Sequence, residues 1–251
     1  MNHNLSKPQY PQHALGTSFL LHVLPGLLTA MVFVLLKPLI DATGYPPLLA
    51  FLLAVLLIDI PFMLGVIFSE GKKTNGKFSL KGIILYREHV SWKTFLGVFV
   101  IAFVVLYLLI VLSTPVNTLI AEKLFSWAPH WLFLDDAALY AGYEKRALVL
   151  VFTLHLLITG ILLPWIEELY FRGYLMPRIS RYAQWTPLMG GVFFGLYHVW
   201  QLFSFVGVFL LGTGLGYIVW WKKDIRVSIS LHVFANALVR VVLLMGILAI
   251  G

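Results

Sequence analysis

The stretch Trp165-Ile166-Glu167-Glu168-Leu169-Tyr170-Phe171-Arg172 sets two adjacent carboxylates and an arginine at the end of a strongly apolar run. Ionisable side chains at membrane depth are costly and tend to be functional. On a helix successive residues turn by about 100°, so Glu168 and Arg172 stand four apart on one face while Glu167 points to another. An acid placed N-terminal to a base at that spacing suits an ion pair. Arg172 is therefore expected to neutralise Glu168, which leaves Glu167 to face another helix as the candidate for chemistry.

The rest of the chain has the composition of an integral membrane protein. Of 251 residues 60% are hydrophobic and only 12% charged, and the mean hydropathy is +0.90, far from a soluble average. Several runs exceed the roughly 18 to 20 apolar residues that cross a hydrocarbon core as a helix, whereas a barrel would show short alternating segments. The expected fold is an all-α polytopic transmembrane helix bundle of about seven spans, at 17–37, 47–68, 95–113, 147–171, 187–205, 206–221 and 227–250. The polar stretch 1–17 precedes a first run without a small-residue cleavage site, so that run reads as a retained span. Cysteine is absent, which removes disulfides and thiol chemistry.

A net charge of +7 does not point to nucleic acid here, because the basic residues gather in loops where topology explains them. Lys72, Lys73, Lys77, Lys81, Arg87 and Lys93 lie in 69–94; Arg172, Arg178 and Arg181 follow the fourth span; Lys222, Lys223 and Arg226 follow the sixth. All fall on the side of the N-terminus, which the positive-inside rule places in the cytoplasm. The expected localisation is a multi-pass plasma membrane, in a bacterium or archaeon, with the site within the membrane near the cytoplasmic face. Loop 69–94 reads as solvated or as lying along the membrane surface. In the loop 114–146 on the other side, Trp127, Trp131 and Phe133 suit an interfacial aromatic belt, with a re-entrant segment as the alternative.

Two further pairs share the spacing of four. Phe194 and His198 lie on the fifth span, and His232 and Asn236 on the seventh. On a helix this aligns both members on one face, so His232 and Asn236 can address a common point and Phe194 can wall the cavity beneath His198. Glu167, His198 and His232 come from separate helices, as bundle sites commonly do. His155, three turns before Glu167, is expected to lie outside the site. Asp59 and Arg240 read as a packing ion pair, with Arg240 holding a substrate carboxylate, or a proton path between the two, as alternatives. Gly212, Gly214 and Gly216 read as close helix contacts.

Taken in order, Glu167-Glu168-x-x-x-Arg172, then Phe194-x-x-x-His198, then His232-x-x-x-Asn236 resembles the pattern of the CAAX prenyl protease type II and bacteriocin-processing (CPBP, or Abi) family of intramembrane proteases. The likeness extends to Tyr170-Phe171-Arg172-Gly173-Tyr174-Leu175-Met176-Pro177-Arg178 and covers roughly 161–239. Residues 147–251 then form a catalytic core, continuous with the spans and loops of 1–146 in one membrane domain. The resemblance implies a membrane-embedded endopeptidase acting on a peptide or lipidated-protein substrate. Peptide hydrolysis needs an activated water, a stabilised oxyanion and a proton for the leaving amine. Glu167 with His198 can hold and deprotonate water, His232 and Asn236 can donate to the oxyanion, and Arg172 keeps Glu168 ionised. No cofactor is expected; zinc on Glu167, His198 and His232 is the alternative, although His-Glu-x-x-His is missing. Rival functions are a non-proteolytic membrane adaptor or bacteriocin-immunity protein that keeps the fold, and, behind it, a transporter. The substrate, prenylated or not, is not written in these residues.

Overall fold

A long run of Leu, Val, Ile and Phe in hydrocarbon must satisfy its backbone polar groups internally, and a helix does so within one segment. The structure, a computed structural model, describes residues 10–249; the first nine residues of the polar N-terminal stretch and the Ile250 end of the last expected span lie outside them. Among the described residues six helices are long and apolar enough to cross a membrane: α1 Leu15–Asp41, α2 Pro47–Asn75, α3 Trp92–Leu124, α4 Lys145–Tyr197, α5 Val199–Lys222 and α6 Ile225–Ala249.

The fourth and fifth expected spans are carried by a single element. α4 runs for 53 residues and turns back where Ile179 (φ −118°, ψ 17°) and Ala183 (φ 49°, ψ −127°) leave helical geometry. Its return limb, Thr186–Tyr197, has 12 residues, about 18 Å at 1.5 Å per residue. That is too short for a hydrocarbon core of about 30 Å, so the limb ends inside the membrane, at His198. Irregular backbone at such depth is tolerated where it lines a cavity or is buried in protein, and the short 3₁₀ stretch Val199–Ser204 that follows does the former.

Contacts sort the ends of these helices into two faces. On one, His13 N–H donates to the Arg178 carbonyl, Leu85 N–H to Gly173 and Glu88 N–H to Lys223, at 2.8, 2.9 and 2.9 Å. On the other, Trp131 packs on Phe33 at 5.5 Å and Phe133 on Phe203 at 4.6 Å between ring centroids. Trp127 is exposed and fits an aromatic belt; Trp131 and Phe133 instead turn inward. The loop between α2 and α3 is exposed over much of its length, at Lys77, Phe78, Lys81, Arg87, Glu88 and His89, and is anchored in its middle, where Ile83, Ile84 and Leu85 are buried. Gly173 makes this possible, since a Cβ there would meet Ile84 at 2.7 Å and Ile225 at 2.9 Å. The glycines of α5 serve close packing as expected, Gly212 against Phe194, Gly214 against Leu106 and Gly216 against Pro187.

α-Helical hydrogen bonding gives way to wider π turns at Val55–Asp59, Leu156–Leu162 and Glu168–Leu175. Such bulges re-aim side chains and cluster at functional sites. Here they carry Asp59, Thr159, Glu168 and Arg172, all buried.

Candidate active site

The expected pair forms, although its helix is π rather than α. Arg172 Nη1 lies 3.0 Å from Glu168 Oε1, and Arg172 Nη2 donates to the Gly212 carbonyl at 3.0 Å. The guanidinium also stacks over the Phe194 ring, 4.2 Å from its centroid. The other partner of Glu168 was not visible in the sequence: Oε1 accepts from His232 Nδ1 at 2.8 Å. Fixing Nδ1 as the donor directs His232 Nε2 toward Glu167, whose Oε2 lies 3.7 Å away. That gap is beyond a direct hydrogen bond and of a size that a bridging water suits.

His198 ends the short return limb and is held in the same manner. Its Nδ1 lies 2.8 Å from the Phe194 carbonyl, an acceptor only, so Nδ1 carries the proton and Nε2 keeps its lone pair. Phe194 does not line the cavity as expected but packs behind its lining residues: its ring meets His198 at 4.6 Å, His232 at 6.0 Å and the Arg172 cation. Asn236 Nδ2 donates to the His232 carbonyl at 3.1 Å, which leaves its second N–H for another acceptor. Glu167, His198, His232 and Asn236 all line one cavity. Glu167 Oε1 is buried in it without a hydrogen-bond partner.

Tyr197 and Asp59 join this group without having been singled out together in the sequence. The Tyr197 hydroxyl donates to Asp59 Oδ2 at 2.5 Å and lies within hydrogen-bonding reach of Glu167 as well. The expected Asp59–Arg240 pair does not form; Arg240 Nη1 instead lies 3.6 Å from Asp135 Oδ1. The reason is the π turn at Val55–Asp59, which aims Asp59 at the return limb of α4. Tyr197→Phe is expected to cost about 1–3 kcal/mol by leaving a buried carboxylate oxygen unpaired. Adding Asp59→Leu should return most of that loss, and a double-mutant cycle on unfolding in mild detergent measures it.

His155 also lines the cavity, contrary to expectation, with its Nδ1 buried and unpartnered. The cavity extends away from Glu167 along the axis toward Leu132, Leu134 and Asp135 of the loop before α4, so His155 at that level is part of its wall. In depth the site keeps to the expected half, since His232 lies seven residues into α6, about 10 Å from its start. At its far end the cavity is bounded by the loop on the face opposite the N-terminal segment and the lysine-rich loop. Among the described residues no cluster of three or more His, Asp or Glu side chains is placed to hold a metal ion. His232 Nδ1 is already committed to Glu168.

A helical membrane bundle thus brings acids and imidazoles together on one buried, partly apolar cavity, as bundle sites are commonly built. Residues 149–238 match the family model described as Type II CAAX prenyl endopeptidase Rce1-like, which supports the likeness of this segment to the CAAX proteases. The match takes in every residue of the three motifs. No curated protein and no solved structure matches the chain.

Proposed function

We propose that the chain is an intramembrane endopeptidase in which Glu167 activates water without a metal. The observation that carries this reading is the unpartnered, buried Glu167 Oε1 facing a cavity also lined by His198, His232 and Asn236. A water between Glu167 and His198 Nε2 gives up a proton to the carboxylate and attacks the peptide carbonyl; Glu167 then passes the proton to the leaving amine. His232 Nε2–H and the free Asn236 N–H stabilise the oxyanion, with the ring held in place by the Nδ1 hydrogen bond to Glu168. The family match of 149–238 supports a protease in general; the assignment of these roles is ours. Purified protein in lipid is expected to cleave within a diverse pool of membrane peptides, farnesylated ones included, and Glu167→Ala to cleave none. Persistence of wild-type cleavage in a strong chelator supports the metal-free form; its loss points to zinc.

The orientation follows from charge. Lys72, Lys73, Lys77, Lys81 and Arg87 share a face with the α1 start, Arg178 and Lys223, and positive-inside placement makes that face cytoplasmic. The cavity then opens on the extracytoplasmic side, and substrates enter from there. Because the native chain has no cysteine, single cysteines report the topology cleanly. Trp127→Cys should react with an impermeant maleimide added to intact cells and Lys77→Cys only after the membrane is opened. The reverse labelling would turn the cavity to the cytoplasm.

A further inference from the structure

The family match covers 149–238, yet the Glu167 carboxylate meets a group that is held from outside that segment. Tyr197 is fully buried and stands just before His198, at the end of the return limb of α4. Its hydroxyl donates to Asp59 Oδ2 at 2.5 Å and is within hydrogen-bonding reach of Glu167. The surroundings fix the ring closely. The π turn Val55–Asp59 of α2 delivers the acid, and Phe171 and Trp200 flank the ring at 4.9 and 5.2 Å between centroids. Gly26 of α1 admits the backbone, since a Cβ there would lie 1.8 Å from the Tyr197 carbonyl oxygen.

Packing alone does not account for this pair. Asp59 is fully buried and its other oxygen, Oδ1, has no partner, an arrangement that is costly in a membrane and marks function by default. Apolar side chains of the same shape at both positions would hold the helices together about as well. What they would not supply is a hydroxyl against Glu167. We infer that Tyr197, anchored by Asp59, is a positioning residue for the base, and that α1 and α2 thereby complete the site built by the motif helices.

Glu167 needs such a brace. Its Oε1 has no hydrogen-bond partner, and its Oε2 lies 3.7 Å from His232 Nε2, too far for a direct bond. The Tyr197 hydroxyl carries a single proton between two carboxyl groups. A small rotation about its C–O bond serves Asp59 or Glu167, and the position of one acid is tied to that of the other. With the phenol against it the carboxylate keeps one orientation toward the cavity, where His198 and His232 also face.

This inference rests on the hydrolase reading, and its test separates the two. Cleavage of a membrane peptide is measured in lipid for Tyr197→Phe, Asp59→Leu, Asp59→Asn and the double variant Tyr197→Phe with Asp59→Leu. Tyr197→Phe keeps the ring and is expected to lower kcat by about 10–10²-fold, the scale of a misplacement near 1 Å. KM should stay within about twofold of the native value, because substrate binding is untouched. Asp59→Leu should fall as far, whereas Asp59→Asn, whose amide oxygen still accepts from Tyr197, should stay within about threefold of the native rate. The double variant regains stability, as argued for the active site, but should not regain kcat. Recovery of both would make the pair structural and overturn the inference, as would a native kcat in Tyr197→Phe. The contact is also read without turnover. In protein labelled with fluorotyrosine, the fluorine resonance lost in Tyr197→Phe identifies Tyr197, and it is expected to shift in both Asp59→Asn and Glu167→Gln. A resonance that Glu167→Gln leaves unmoved overturns the inference with no substrate present. A shift there, combined with cleavage that does not depend on Glu167, would mark failure of the hydrolase reading alone, with the brace in place.

Discussion

Glu167→Gln is expected to lower kcat by about 10²–10⁴-fold, the usual contribution of a positioned general base, while leaving the fold intact. The two parts of that expectation have different origins. Catalysis needs an oxygen that accepts a proton, and an amide cannot. Stability needs the polar atoms at this position to find partners, and in the native protein Glu167 Oε1 has none. Glutamine keeps the volume, and its side-chain oxygen can accept from His232 Nε2–H, 3.7 Å from Oε2 in the native protein, so unfolding in detergent should shift by less than about 1 kcal/mol. Glu167→Asp tests position rather than basicity: withdrawing the carboxylate by one methylene should still cost about 10²-fold, as misplacement near 1 Å does. Full activity in Glu167→Gln would remove this residue from the chemistry. In cells, a deletion phenotype that Glu167→Gln fully rescues would favour the adaptor reading instead.

Much of this was legible beforehand because membrane sequences separate their signals. Apolar runs long enough to span announce helices, and a charge inside one announces a site. Glu167, Glu168 and Arg172 stand out that way, Phe194, His198, His232 and Asn236 by their spacing of four, and the structure brings them together. Three features resisted. The turn inside α4 rests on Ala183 at positive φ, a conformation for which neither glycine nor asparagine gave notice. The partners of Asp59 and Arg240 depend on where a π turn falls, and such a turn shifts a side chain around the helix without any residue signature. Tyr197 read as one more aromatic in an aromatic-rich segment, and only its hydroxyl against Asp59 at 2.5 Å sets it apart. The N-terminal half was also more than filler: it supplies Asp59, and Gly26 in α1 lets the backbone of Tyr197 approach where any Cβ would overlap its carbonyl.

Arg172→Met is expected to be the most destabilising single change in the site, at about 3–5 kcal/mol, because it strands a buried carboxylate. Glu168 is fully buried, and its partners are the Arg172 cation at 3.0 Å and His232 Nδ1 at 2.8 Å. Methionine can fill the apolar space against Phe194, so the loss isolates charge from volume. Removing both ends of the pair, in Arg172→Met with Glu168→Gln, should recover a coupling of about 1–3 kcal/mol in an unfolding cycle. Activity should not return with it. Glu168 also fixes His232 Nδ1 as the donor, and with that acceptor weakened the imidazole is free to change tautomer and to swing away from Glu167. The double variant would then be a folded protein with a slack oxyanion donor, low in kcat and little changed in KM. A cost below about 1 kcal/mol for Arg172→Met would mean that Glu168 does not need its cation. His232 would then have to be held by packing against Phe194, and the second glutamate would lose its place as the residue that positions the first.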